Sequence, residues 1–270
     1  MLREFLALFA LVALYLSMSA APAAAASDVG YDISYPQCGL PFPSDAAFGI
    51  IGVNGGRAFS ANPCLAEQLA WGKKLSAPVS LYANTGNPGP ALSSRWPIGQ
   101  MSPRECYGDN PNSTACAYNY GWNAAKDSVS TAARASMAVN GVDEKNARRR
   151  VANVTWWLDV EILNSWQTTS SVYGPTEQSK LNDTAALAGA VNALWDAGVD
   201  SVGIYSTQYQ WNLITGGSAY THDWFSANPV WLAGHSANSA AGGCEKPSFT
   251  GGRVTMTQYL SNGYDANYLC

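Results

Sequence analysis

The run Trp156-Trp157-Leu158-Asp159-Val160-Glu161 restricts the possible folds more than any other stretch of this chain. Its first half is apolar, aromatic and unbroken, as a strand reads when both faces are covered. Such strands belong to parallel sheets flanked by helices, so the run argues for an α/β protein. Its second half carries carboxylates at i and i+2. Strand side chains alternate, so Asp159 and Glu161 project to one side with Cα atoms ~6.6 Å apart.

Two carboxyl groups so placed, on a strand end opening into a cleft, suit cleavage of a glycosidic bond. One can hold a proton for the leaving oxygen while the other stays ionised beside the developing oxocarbenium charge. A plainer alternative has Asp159 capping the next loop and Glu161 pairing with an arginine. The D-x-E pattern is short and common and does not choose between them by itself.

Compartment narrows the choice. Met1 to Ala26 reads as a secretory signal peptide, with Arg3, an apolar stretch from Phe5 to about Leu16, and small residues at the cleavage site. Residues 27–270 are then one exported domain, with no stable membrane insertion after cleavage. Six cysteines follow the leader: Cys38, Cys64, Cys106, Cys116, Cys244 and Cys270. An even count in an exported chain predicts three disulfides, for which fifteen connectivities exist. The expectation adopted is sequential: Cys38–Cys64, Cys106–Cys116 and Cys244–Cys270. No C-x-x-C occurs and no histidine lies within ligand spacing of a cysteine, so no metal is expected.

Charged residues are 13% of the chain, about half the usual share, whereas tyrosines number fourteen and tryptophans ten. A weakly charged, aromatic-rich surface suits sugar contacts, although most of these rings belong in the core. A net charge of −4 argues against nucleic acid as a partner. Arg148-Arg149-Arg150 reads as a solvated helix end or loop.

Taken in order, strands are predicted at 31–35, 48–53, 78–83, 156–161, 201–205, 229–233, 253–259 and 264–269. Helices are predicted at 63–75, 117–139, 181–197 and 209–214. A long Gly/Pro/Asn/Ser-rich excursion, Asn84–Ala115, separates the third strand from the second helix, a length that marks it as functional or bridge-stabilised. Strands alternating with helices in one domain of this size predict a (β/α) TIM-like barrel whose last strands lack helices, with a doubly wound open sheet as the alternative.

The order of several short motifs resembles the glycoside hydrolase family 25 muramidases across nearly the whole mature chain. Asp32-Ile33-Ser34-Tyr35-Pro36-Gln37 is similar to the family's opening D-x-S-x-x-Q, and Leu158-Asp159-Val160-Glu161 to its L-D-x-E. Gly203-Ile204-Tyr205-Ser206 and Val230-Trp231-Leu232-Ala233 resemble its fifth and sixth strands. Gln258-Tyr259 and Tyr264-Asp265-Ala266-Asn267 resemble its close. The resemblance implies a (β/α)5(β)3 barrel and four carboxylates: Glu161 as general acid/base, Asp159 stabilising or orienting the reacting centre in a reaction assisted by the substrate's N-acetyl group, and Asp32 and Asp265 lining the cleft. Tyr205, Gln258, Tyr82 and Asn54 are the expected substrate contacts.

The chain departs from the family pattern at Gly52-Val53-Asn54-Gly55-Gly56, at Leu81-Tyr82-Ala83-Asn84, at Thr257 and in the long loop. These departures surround the substrate rather than the carboxylates and leave sugar specificity open. No G-x-S-x-G elbow, Walker motif or dinucleotide fingerprint is present, so no cofactor is expected. The reading is a secreted, monomeric glycosidase acting on cell-wall peptidoglycan at N-acetylmuramic acid. The alternatives are a barrel that binds glycan without cutting it, or a glycosidase on another wall polymer.

Overall fold

The computed structural model describes residues 29–270, so the expected leader, residues 1–26, lies outside the described residues. Eight strands close a barrel in chain order: β1 (Val29–Ile33), β2 (Gly49–Gly52), β3 (Ser80–Asn84), β4 (Trp156–Asp159), β5 (Val202–Ser206), β6 (Val230–His235), β7 (Val254–Ser261) and β8 (Tyr264–Leu269). Neighbours from β1 to β7 pair in parallel, whereas β8 runs antiparallel to both β7 and β1.

The reversal of β8 comes from the two residues before it. Asn262 and Gly263 both have positive φ, 51° and 80°, and link Ser261 to its register partner Tyr264. This is the Asn-Gly connection that matches the twist of a two-residue hairpin. It brings the start of β8, and with it Asp265, to the end of the barrel where the parallel strands finish.

The outer layer consists of α1 (Leu65–Gly72), α2 (Thr114–Asn140), α3 (Glu144–Ala152), α4 (Glu177–Asp196), α5 (Gln208–Thr215), α6 (Ser218–Phe225) and the one-turn α7 (Ala240–Gly243). The four predicted helices are α1, α2, α4 and α5. Helix α3 was not predicted, because Glu-Lys-Asn-Ala-Arg-Arg-Arg shows no apolar period; its start is signalled instead by Asp143, whose carboxylate accepts from Asn146 N–H at 2.8 Å. The arginine run is its last turn. After β6, α7 is the one helix among the described residues, close to the expected bare strands. The β1–β2 connection departs from a strict (β/α)5(β)3 pattern, with only a 3-10 turn at Tyr35–Gln37. Pro36, Pro41 and Pro43 lack the N–H groups that a helix there would need.

Strand alternation divides the apolar side chains into two cores. Outward residues such as Ile51, Leu81, Leu158, Ile204 and Val230 pack under the helices, and inward Ile50, Trp157, Tyr205, Trp231 and Met256 fill the barrel. Trp231 is central: its ring lies 4.4 Å from Tyr205 and 5.8 Å from Trp157 between centroids. A Cβ at Gly203 would stand 2.2 Å from the Trp157 ring, so this interior requires glycine there. The packed rings form an aromatic floor beneath the C-terminal mouth.

The three bridges join Cys38–Cys64, Cys106–Cys116 and Cys244–Cys270, as expected. Each should contribute ~2–4 kcal/mol by restricting the unfolded chain. The second anchors the long loop to the first turn of α2. Among the described residues no helix is long and apolar enough to cross a membrane.

Helices α2 and α4 meet backbone to backbone. A Cβ on Gly189 would stand 2.0 Å from the Tyr118 carbonyl oxygen, and one on Gly121 1.8 Å from that of Ala186. Gly189→Ala would gain about 1 kcal/mol of helix propensity. Forcing a methyl against rigid backbone costs about 3 kcal/mol, so the clash wins. A fall of roughly 4–8 °C in thermal midpoint is expected for the net ~2 kcal/mol; a midpoint unchanged or raised in differential scanning calorimetry would contradict the close crossing.

Candidate active site

Asp159 ends β4 with its side chain on the inward face, and Glu161 follows two residues later on the same face. Register brings the other groups level with them: Asp159 pairs with Asn84 on one side and Tyr205 on the other, and Asp32 pairs with Asp265. Asp32, Asp159, Glu161 and Asp265 line one cleft of about 90 Å³ together with Tyr82, Tyr205, Trp231 and Gln258. A larger hollow of about 220 Å³ lies between α1, α2 and α3, but Lys73 and Arg150 are its charged residues and it holds no acid pair. Chemistry, not size, selects the smaller one.

Asp32 is buried and held by a chain of side chains from four strands. The Trp231 indole N–H donates to Asn267 Oδ1 at 2.8 Å, and Asn267 Nδ2 donates to Asp32 Oδ2 at 2.8 Å. Gln258 Nε2 donates to the same oxygen at 3.1 Å, and Gln258 Oε1 accepts from the Tyr205 hydroxyl at 2.8 Å. Burial, with the Asp265 charge beside it, pushes the Asp32 pKa up to about 7, against the pull of the two amide donors. Burial also raises the pKa of the Tyr82 and Tyr205 phenols, which therefore stay protonated.

The acid pair is pinned through its backbone. The carbonyl of Asp159 accepts from Thr85 Oγ1 at 2.5 Å and Asn164 Nδ2 at 3.2 Å. That of Val160 accepts from Ser206 Oγ at 2.7 Å, and that of Glu161 from the Trp166 indole at 2.8 Å. Asp159 Oδ2 accepts from Asn84 Nδ2, while Oδ1 is buried and finds no donor among the described residues. The Glu161 carboxyl lies within hydrogen-bonding reach of Asp159. Burial first, and the Glu161 charge second, hold the Asp159 pKa well above the carboxylate range. Burial raises Glu161 too, opposed by a donor from Gln210. Asp265 sits at the open rim, where partial desolvation raises it. Among the described residues no lysine or arginine lines the cleft.

Of the expected substrate contacts, Tyr205, Tyr82 and Gln258 line the cleft. Asn54 does not. Its amide is buried and spent on the backbone of Asn84, donating to the carbonyl at 2.9 Å and accepting from the N–H at 3.1 Å. It braces the residue that holds Asp159. Three polar partners went unpredicted: Asn84, Asn267 and Gln210. Asn84 continues the inward series Ser80, Tyr82, Asn84, a period-two signal legible in the sequence. Asn267 lies in the closing Asp-x-Asn motif. Nothing local marks Gln210.

The chain matches no protein-family model and no curated protein. Among solved structures it is similar to a muramidase from Trichobolus zukalii, at 18% identity over 90% of this chain and 93% of that one, with a TM-score of 0.51. It is also similar to the modular autolysin LytC from Streptococcus pneumoniae, at 14% identity over 88% of this chain and 46% of that one, with a TM-score of 0.53. That autolysin has also been solved in complex with a synthetic peptidoglycan ligand. At these identities the likeness establishes architecture: the chain has the TIM-like α/β barrel fold of these two proteins.

Proposed function

We propose that this protein is an exported glycoside hydrolase that cleaves β-1,4 bonds at N-acetylmuramic acid in peptidoglycan. The observation that carries the reading is the gathering of Asp159, Glu161, Asp32 and Asp265 in one cleft at the mouth of the barrel. The fold shared with muramidases, and the peptidoglycan ligand of the Streptococcus pneumoniae autolysin, support the choice of polymer. The leader at residues 1–26 and the three bridges support export.

The placement of Asp159 and Glu161 in one cleft bears on mechanism. A retaining pair of acid and nucleophile straddles the scissile bond at ~5–5.5 Å, and an inverting pair stands further apart to admit water. The resemblance of Leu158-Asp159-Val160-Glu161 to the muramidase motif gives Asp159 the stabilising and orienting role rather than the nucleophile's. The substrate's own acetamido oxygen fills that role. Glu161 gives its proton to the glycosidic oxygen as the C1–O bond breaks, and the acetamido oxygen closes on C1. Asp159 Oδ1 accepts the acetamido N–H and stabilises the positive ring that forms. Water, deprotonated by Glu161, then opens that ring with the anomeric configuration retained. Asp32 and Asp265 add negative field, and the two phenols hold the sugar.

Digestion of purified peptidoglycan, with mass spectrometry of the released ends, tests this directly. Reducing N-acetylmuramic acid is the expected product. Release from another wall polymer alone would change the substrate, and release from none would leave a glycan-binding barrel.

A further inference from the structure

Gln210 stands in the first turn of α5, on the segment leaving β5 beside the acid pair. Thr207 caps that helix, its Oγ1 accepting from Gln210 N–H at 3.2 Å. The next residue, Trp211, is fully buried with its ring 5.4 Å from Phe225 and 5.2 Å from Phe249. The Gln210 backbone is therefore held from both sides, and only its side chain turns toward β4. There Oε1 accepts from the Ile162 backbone N–H at 2.7 Å, and Nε2 lies within reach of the Glu161 carboxyl. One amide thus braces the residue that follows Glu161 and faces the Glu161 side chain itself.

The geometry points to Gln210 as the positioning residue for Glu161: its amide holds the backbone that follows Glu161 and so keeps the carboxyl over the cleft. Its value follows from the company Glu161 keeps. Asp159 from β4 and Asp265 from β8 act on it directly, Tyr205 from β5 faces it, and Asp32 from β1 and Tyr82 from β3 share the cleft. All of these are acidic or neutral. A neutral donor opposes them without adding a cation that would suppress the acid form altogether. Orientation matters as much, because displacement of a reacting group by about 1 Å can cost 10²-fold in rate.

The assignment rests on Glu161 being the acid/base, so its test needs a readout independent of turnover. Gln210→Met removes both hydrogen bonds at similar length, and Gln210→Glu keeps an acceptor for Ile162 but replaces the donor. Carboxyl ¹³C NMR of glutamate-labelled protein follows Glu161, whose signal is identified by its loss in Glu161→Gln. In both variants the Glu161 titration should move to higher pH, and the basic limb of kcat/KM should move with it. Turnover of Gln210→Met should fall about 10–100-fold with KM little changed, as expected when an orientation needed only for the chemical step is lost. A Glu161 titration that stays in place in the folded variants overturns the proposal, and Gln210→Glu alone decides if the methionine variant does not fold. A wild-type protein that cuts no glycan defeats the hydrolase reading, while the NMR titration still judges Gln210.

Discussion

Replacing Glu161 with glutamine should lower turnover by about 10²–10⁴-fold, the usual share of general acid catalysis, while leaving glycan binding largely intact. The substitution keeps shape and hydrogen-bonding reach but carries no transferable proton. Gln210 can still donate to the new amide oxygen, so the loop should keep its place. In the wild type, burial raises the Glu161 pKa, and the acid form persists to higher pH than for an exposed glutamate. Activity should be lost as pH rises through that pKa, and Glu161→Gln should abolish this basic limb. The pair titrates together, so the limb reports the pair rather than a single site. Near-wild-type rates with an ordinary pH profile in the variant would remove Glu161 from the mechanism.

Asp159→Asn should be of comparable severity, about 10²–10³-fold, for a reason set by its neighbours. Asn84 Nδ2 donates into the Oδ2 position and so holds the new side chain with its oxygen there. The amide nitrogen then occupies the place of Oδ1, presenting a donor where the acetamido N–H needs an acceptor. It also donates to Glu161 and keeps that carboxyl ionised, so the remaining activity should shift to lower pH.

Stability should move the opposite way. A carboxyl whose folded pKa lies above its unfolded value is stabilising in full below the unfolded pKa, and that contribution is lost as pH rises through the folded one. The folded pKa of Asp159 is raised by burial and by Glu161, so the native carboxylate is a liability near neutral pH. Asparagine removes that liability. An inactive variant with a thermal midpoint at or above wild type near pH 7, and a smaller difference near pH 4, is the expected combination. A large fall in midpoint near pH 7 would mean that the charge stabilises the fold, contrary to its burial.

Some of this was legible before any coordinates. Strand periodicity alone puts Asp159 and Glu161 on one face, because alternation is a local property of extended backbone. Apolar runs separated by helical stretches pointed to the barrel, and the disulfides join cysteines only 10 to 26 residues apart in sequence. The direction of β8 was also written locally, in Asn262-Gly263, although strand pattern by itself says nothing of direction.

What surrounds the carboxylates was decided by closure of the barrel. Asp32 meets Gln258 and Asn267 across 226 and 235 residues of chain, and Asn84 meets Asp159 across 75. Asn54 was expected among the substrate contacts; the fold instead buries it behind Asn84. Gln210 carries no local signature, since an amide in the first turn of a helix is unremarkable until β4 and β5 lie side by side. Residue type and period determine which groups share a face. Their protonation depends on desolvation and on donors that only the closed barrel brings within 3 Å or so, where hydrogen bonds form.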